Sequence, residues 1–251
     1  RNVSLAREDI RLYFTDGYLI FSRPVAGRRI AAVFTTDVQG GEGEVLLLPP
    51  TRGERRSLAV YTGSPNMSER IRTAVLLFTD DSYAALTAEM RGSPFNRKVP
   101  EMGLLAAEEW SPLVRNLASS YQTRLALDLL DPGSPLAGFF AAALAGAKLG
   151  NFDLVFEPRS IEQVVAGQLV TRDNRAFFDV WTSFPARSWR NGEREYGLEF
   201  TLRDYRIEAT VEPDLNLSVI SRVRLRPHGT ARVLPFEIAH PMRIESATVD
   251  G

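Results

Sequence analysis

Short runs of β-branched and aromatic residues, each closed by turn formers, fill the first eighty residues and constrain the fold more than any other feature. Runs of this kind are strands joined in an antiparallel meander. Arg11–Phe14 and Tyr18–Phe21 flank Thr15-Asp16-Gly17, where Gly17 can take the positive φ of a tight turn, so a hairpin is expected there. Further strands are expected at Arg29–Thr35, Glu44–Leu48, Ser57–Tyr61 and Ile71–Phe78. Pro49-Pro50 ends one of them, because successive prolines remove ladder donors and block helix.

The middle of the chain carries helix signals. Oxygen-bearing side chains at Thr79-Asp80-Asp81 can cap free amides, and Tyr83, Leu86 and Met90 recur at helical spacing before Gly92. A helix is expected over Gly103–Trp110, and two more near Pro112 and Pro135, each preceded by a serine able to cap. Leu125, Leu127 and Leu129 alternate with smaller or polar residues and suit a half-buried strand. The apolar stretch Leu136–Leu149 reads as a buried core helix, since Lys148 interrupts it and it falls short of the ~20 residues a membrane span needs.

After Gly150 the period returns to two. Phe152, Leu154 and Phe156 alternate, and Val164–Thr171 pairs with Arg175–Trp181 across Arg172-Asp173-Asn174, in a second sheet or a continuation of the first. Pro185–Glu193 is the expected domain boundary. Beyond it, strands are expected at Glu199–Val211, Asn216–Arg226, Ala231–Ile238 and Met242–Val249. The expected class is α+β: an antiparallel, strand-rich domain over 1–190 with helices in its middle, then an all-β segment over 191–251.

Composition narrows the chemistry. The 30 Lys and Arg balance 31 Asp and Glu, so no whole-protein field draws in nucleic acid or an anionic membrane, and neither partner is expected. Zero cysteines exclude disulfides, thiolate metal sites and cysteine nucleophiles. An opening at Arg1 instead of Met points to a removed upstream segment and to an exported or periplasmic protein. Sequon patterns at Asn2, Asn66 and Asn216 are too short to carry function.

Candidate chemistry resolves mostly into structure. His228 and His240 both sit in expected turns, outside any His-Glu-x-x-His pair, and no Gly-x-Ser-x-Gly elbow accompanies them. Gly40-Gly41-Glu42-Gly43 precedes a strand, whereas phosphate binding needs a glycine-rich loop opening a helix. The acidic pairs Asp80-Asp81, Glu108-Glu109 and Asp128 with Asp131 read as helix-start or surface carboxylates. Arginines cluster at Arg28-Arg29, Arg55-Arg56 and Arg187–Arg194; the last, with Trp189, offers an arginine-aromatic surface for single-stranded nucleic acid or a polysaccharide, but Glu193 and Glu195 dilute its charge and a linker or interdomain contact is expected. No catalytic, cofactor-binding or metal-binding residue is assigned, and no cofactor is expected.

The tail carries a resemblance. YRIEATVEPDLN, LSVISRVRLRP, ARVLPFEIA and MRIESATVDG, within Tyr205–Gly251, resemble the opening strands of the N-terminal β domain of aminopeptidase N-like zinc metallopeptidases. Residues 1–190 are similar to a region upstream of that module in some bacterial proteins. The family's Gly-x-Met-Glu-Asn and His-Glu-x-x-His motifs do not occur here. The resemblance therefore implies a non-catalytic N-terminal region, with a structural or substrate-access role, whose partner is the downstream part of its own polypeptide. The alternative is an independent peptide- or glycan-binding module.

Overall fold

The computed structural model describes residues 3–36, 42–91, 99–134, 136–193, 199–228, 233–236, 238–239 and 241–250. The protein is α+β and mostly antiparallel sheet. It divides into two compact units, Arg1–Gly197 and Leu198–Gly251.

Unit 1 holds the strands β1 (Val3–Arg7), β2 (Ile10–Phe14), β3 (Tyr18–Phe21), β4 (Ala31–Thr35) and β5 (Gly43–Leu47), then helix α1 (Arg52–Thr62) and the long strand β6 (Met67–Phe78). Helices α2 (Ser82–Glu89), α3 (Val99–Leu105) and α4 (Ala107–Leu130) follow. Strands β7 (Phe140–Gly146), β8 (Gly150–Phe156), β9 (Val164–Arg172) and β10 (Arg175–Phe184) and the short helix α5 (Arg187–Arg190) complete it. Every pairing is antiparallel. The main path runs β1-β2-β5-β6-β7-β8-β9-β10, and a branch adds β4, then β3, to β6.

β6 organises this sheet because one of its edges carries two strands end to end. β5 pairs with Met67–Ile71 and β4 with Thr73–Leu77, while β7 takes the opposite edge. The expected β2–β3 hairpin does not form: β2 pairs with β1 and β5, and β3 with β4. Gly17 instead carries the chain from one branch to the other at φ +142°, where an added Cβ would lie 2.6 Å from the Thr35 carbonyl oxygen. The true first hairpin joins β1 to β2 through Glu8-Asp9, with Glu8 at φ 52°.

Two layers of core follow from the two faces. Ile10, Leu12, Phe34, Val45, Leu47, Leu76, Phe140, Leu144, Phe152 and Leu154 fill one side with Leu58 of α1 and Leu86 of α2. Val75, Phe139, Ala141, Ala143 and Val155 meet Leu113, Tyr121 and Leu125 of α4 on the other. β7 is thus buried on both faces, which is why Leu136–Leu149 is not the expected helix. Its small Ala141, Ala143 and Ala145 share one face and admit α4 closely, while Phe140 and Leu144 occupy the other. Burial between two layers overrides alanine's preference for helix.

Other expectations change for equally local reasons. Ser57–Tyr61 lies in α1, which follows a Thr51-x-x-Glu54 capping signature with the Thr51 N–H donating to Glu54 Oε2 at 2.8 Å. Gly63, at φ 73°, ends that helix. Leu125–Leu129 is helical, and Pro112 stands inside α4 instead of opening a helix. Pro135 and the Gly92 stop lie outside the described residues. The β9–β10 hairpin forms as expected, turning on Asp173 and Asn174 at φ 51° and 59°, and continues the first sheet. No described helix is long and apolar enough to cross a membrane.

In unit 2, β11 (Phe200–Val211) and β12 (Leu217–Pro227) form a two-stranded antiparallel sheet. Residues 233–236, 238–239 and 241–250 are not in strand, so the strand expected at Met242–Val249 is absent. Alternation alone does not make a strand where no neighbour supplies the ladder bonds. The strand expected at Ala231–Ile238 is likewise absent at Val233–Phe236 and Ile238; its other residues lie outside the described set.

The branch point gives the first prediction. Gly17→Ala adds a left-handed backbone penalty to overpacking against Thr35 and the Phe34 ring, so it should destabilise unit 1 by about 1–3 kcal/mol. Urea titration should show a lower midpoint at unchanged slope, and an unchanged midpoint would contradict this account of the junction.

Candidate functional site

Polar groups that the core cannot leave unpaired gather at one end of the sheet, where β6 and β8 end and β7 begins. Asp128 of α4 is fully buried. Its carboxylate accepts from Thr79 Oγ1, from Arg124 one helical turn earlier, and from the backbone N–H groups of Gly138 at 3.0 Å and Phe139 at 3.3 Å. Arg124 in turn donates through Nε to both Glu157 oxygens, at 2.9 and 2.7 Å, and through Nη2 to the Leu136 carbonyl at 3.0 Å. Its guanidinium also lies 5.6 Å from the Phe139 ring centre. Burial alone would raise the Asp128 pKa, but the Arg124 and Thr79 hydrogen bonds outweigh it and hold the carboxyl below its ordinary value. This network fastens α4 to the strand ends and keeps an ionised pair inside.

Beside it lies a cleft of about 220 Å³ lined by Ala6, Arg7, Glu8, Asp80, Asp81, Ala137, Gly138 and Phe156. Arg7 spans it. Its Nε is 2.5 Å from Asp80 and 2.9 Å from Ser82 Oγ, and its Nη2 is 2.9 Å from Asp81. Burial outweighs the Arg7 charge at Asp80 and raises that carboxyl above its ordinary range. The cleft therefore contains carboxylates already committed to an internal cation. Ser82 is buried, and among the described residues no imidazole lines the cleft to activate it.

A second clasp closes the other side. The Glu8 carboxylate accepts from the Ser188 N–H at 2.9 Å and its hydroxyl at 2.7 Å, while buried Asp9 receives both terminal nitrogens of Arg190, at 3.0 and 2.9 Å. The Asp9 hydrogen bonds hold the Arg190 guanidinium above its ordinary pKa. Trp189 packs edge-on to Phe156 at 6.3 Å between centroids. The Arg187–Arg190 and Trp189 cluster is therefore neither a linker nor a ligand surface; it belongs to the internal closure of unit 1. The partners Glu8 and Asp9 lie about 180 residues away, out of reach of any local sequence pattern.

Asp153 of β8 differs from these groups. It is almost wholly buried on the α4 side, opposite Ala143 and Gly167, and burial raises its carboxyl to about 7. The nearby Tyr121 hydroxyl is pushed up by burial and by Asp153 and Glu157.

The remaining sequence candidates do not converge. Glu108 and Glu109 are exposed in the first turn of α4. Arg28 donates to the Thr79 carbonyl, Arg29 lies 5.7 Å from the Tyr83 ring centre, and Arg55 donates to the Pro49 carbonyl at 2.7 Å. His228 is exposed beside Thr201, and His240, Gly40 and Gly41 lie outside the described residues. Among the described residues, no group of three or more His, Cys, Asp or Glu side chains is placed to hold a metal ion. Sequence reasoning missed the Arg124–Asp128–Glu157 network; its legible trace is the four-residue Arg-to-Asp spacing on one helix face. No family model, curated protein or solved structure matches the chain.

Two predictions follow. Asp128→Ala removes the buried acceptor shared by Arg124, Thr79, Gly138 and Phe139 and should lower unfolding free energy by about 3–5 kcal/mol, measured by denaturant titration. A loss below ~1 kcal/mol would mean that water replaces the carboxylate. For Asp153 the folded pKa of about 7 lies above the ordinary 3.8, so the folded state holds the proton more tightly. Its contribution is fully present below about 3.8 and is lost as pH rises to about 7, at up to ~1.4 kcal/mol per pH unit. Asp153→Asn should flatten that decline and be the more stable protein at pH ~8; parallel stability–pH curves for the two would reject it.

Proposed function

We propose that this chain is a non-catalytic N-terminal region of a larger zinc aminopeptidase-like polypeptide, acting in packing or in substrate access to the catalytic part. One observation carries the reading: unit 2 is a ribbon with one face made to be covered. The register puts Leu202, Ile207, Ala209 and Val211 of β11 with Leu217, Val219, Val223 and Leu225 of β12 on one face. Arg203, Arg206, Arg222, Arg224 and Arg226 lie on the other. Val211 is 65% exposed, and Leu202, Ile207 and Leu217 are at least half exposed. A two-stranded sheet buries too little to be stable alone and is completed by further strands or a packing layer. In a peptidase β domain that completion comes from later strands of the same polypeptide. The committed ion pairs of unit 1 also support a structural role.

The peptide- or glycan-binding alternative rests on the same exposed face, which would then be a ligand platform. The readings separate in two assays. The reading frame beyond Gly251 should encode His-Glu-x-x-His with a downstream glutamate. The full polypeptide should then release amino acid from aminoacyl-4-nitroanilides with zinc, while this chain alone should not. Absence of the motif would remove the peptidase reading. Saturable binding of a peptide or glycan to this chain, lost on Leu202→Lys with Ile207→Lys, would put the binding module in its place.

A further inference from the structure

The ten-stranded sheet ends on β10, which among the described residues pairs only with β9. β9 is held by β8 only over Val164–Gly167, so the hairpin from Gln168 to Asp179 extends beyond β8 as a two-stranded arm. Helix α1 takes the far half of β10: Ser57 Oγ donates to the Trp181 carbonyl at 2.8 Å, and Thr182 Oγ1 to the Glu54 carbonyl at 3.2 Å. α2 lies against β1 and α3 against β3, the strands that end the other paths. Within unit 1, no described strand pairs with Arg175–Val180 on its outer side. It carries Phe177, Phe178 and Val180 at 43%, 37% and 46% exposed, with Leu169 of β9 beside them at 37%.

The order of side chains along this edge is self-complementary. Arg175 and Asp179 stand two residues to either side of Phe177 on one face, and Ala176 and Phe178 stand one residue to either side on the other. Two antiparallel copies related by a two-fold axis through Phe177 would set Arg175 against Asp179 of the second copy, twice. They would also seat each Phe178 over the opposite Ala176, large against small, and bring the two Phe177 rings together. Isologous contacts require that kind of match, in which a patch complements itself. Asp179 already accepts from Arg172 in its own hairpin, so a second guanidinium would use its remaining oxygen lone pairs.

We infer that Arg175–Val180 is a homodimerisation edge, on which a second copy of this chain adds its own β10 antiparallel and makes one continuous sheet across the two-fold. The added ladder satisfies the edge N–H and C=O groups, and the flanking charges set the register. With only about six residues a side the contact is far smaller than a standard interface, so association is expected in the micromolar range.

Sedimentation velocity of the full chain from ~1 to ~200 μM tests it, since that range brackets a micromolar equilibrium. The mass should rise from that of a monomer, 28.0 kDa, towards twice that value. Arg175→Asp and Asp179→Arg should each stay monomeric across the series. An equimolar mixture of the two variants should dimerise again, because each then faces opposite charges at both positions. That rescue cannot come from a variant that failed to fold. A parent that stays monomeric at the highest concentration overturns the proposal. So does a dimer that both substitutions leave intact, because another surface would then hold it, or a mixture that stays monomeric.

Discussion

The architecture depends on what β6 can accept along a single edge. A strand has one row of N–H and C=O groups on each side, so β4 and β5 can share a side only by meeting end to end along it. Side chains must be absent where they meet. A Cβ at Gly17 would strike the Thr35 carbonyl, and one at Gly43 would strike Ile71 at 2.8 Å and the Phe34 ring at 3.1 Å. These glycines let the sheet fork. The β1-β2-β5 branch and the β3-β4 branch then contribute to one core on the same side of β6.

Closing such a forked sheet leaves polar groups inside, and unit 1 resolves them as charge pairs, most of them between distant segments. Arg7 meets Asp80 and Asp81, Arg124 meets Asp128 and Glu157, and Arg190 meets Asp9. Each pair joins an element to a strand end or a turn that sequence separates from it, or fixes a helix on its sheet. At Asp128 the Arg124 and Thr79 hydrogen bonds hold the carboxyl below its ordinary value and make it a poor general base, while Asp80, raised by burial, is occupied by Arg7 and Ser82. The same geometry that makes these groups conspicuous in a cleft also supports reading them as fasteners.

The chain made some of this legible before any coordinate was known. Alternation named the right strands at Phe152–Phe156, where the polar Asp153 keeps the period visible although both faces are buried, and in the Val164–Trp181 hairpin, whose outer half is exposed and whose turn residues mark its centre. Leu136–Leu149 misled because helix and strand look alike when both faces are apolar. Leu125–Leu129 misled because its alternation belongs to a helix face whose polar member, Asp128, is turned inward to Arg124 and Thr79. The site stayed hidden for a different reason, since Glu8 and Asp9 show no local sign of the Ser188 and Arg190 they await.

By itself the sequence determined the α+β class, the antiparallel character, most strands after Gly150, and the absence of cysteine chemistry, since these depend on residue type and short periods. Tertiary structure alone decided that β6 carries a fork, that an alanine-rich run becomes a doubly buried strand, and that scattered arginines find their carboxylates. It also decided which strand edge stays free. Those outcomes depend on which segments meet in space, and burial there outweighs by several-fold the local preferences that a sequence window records.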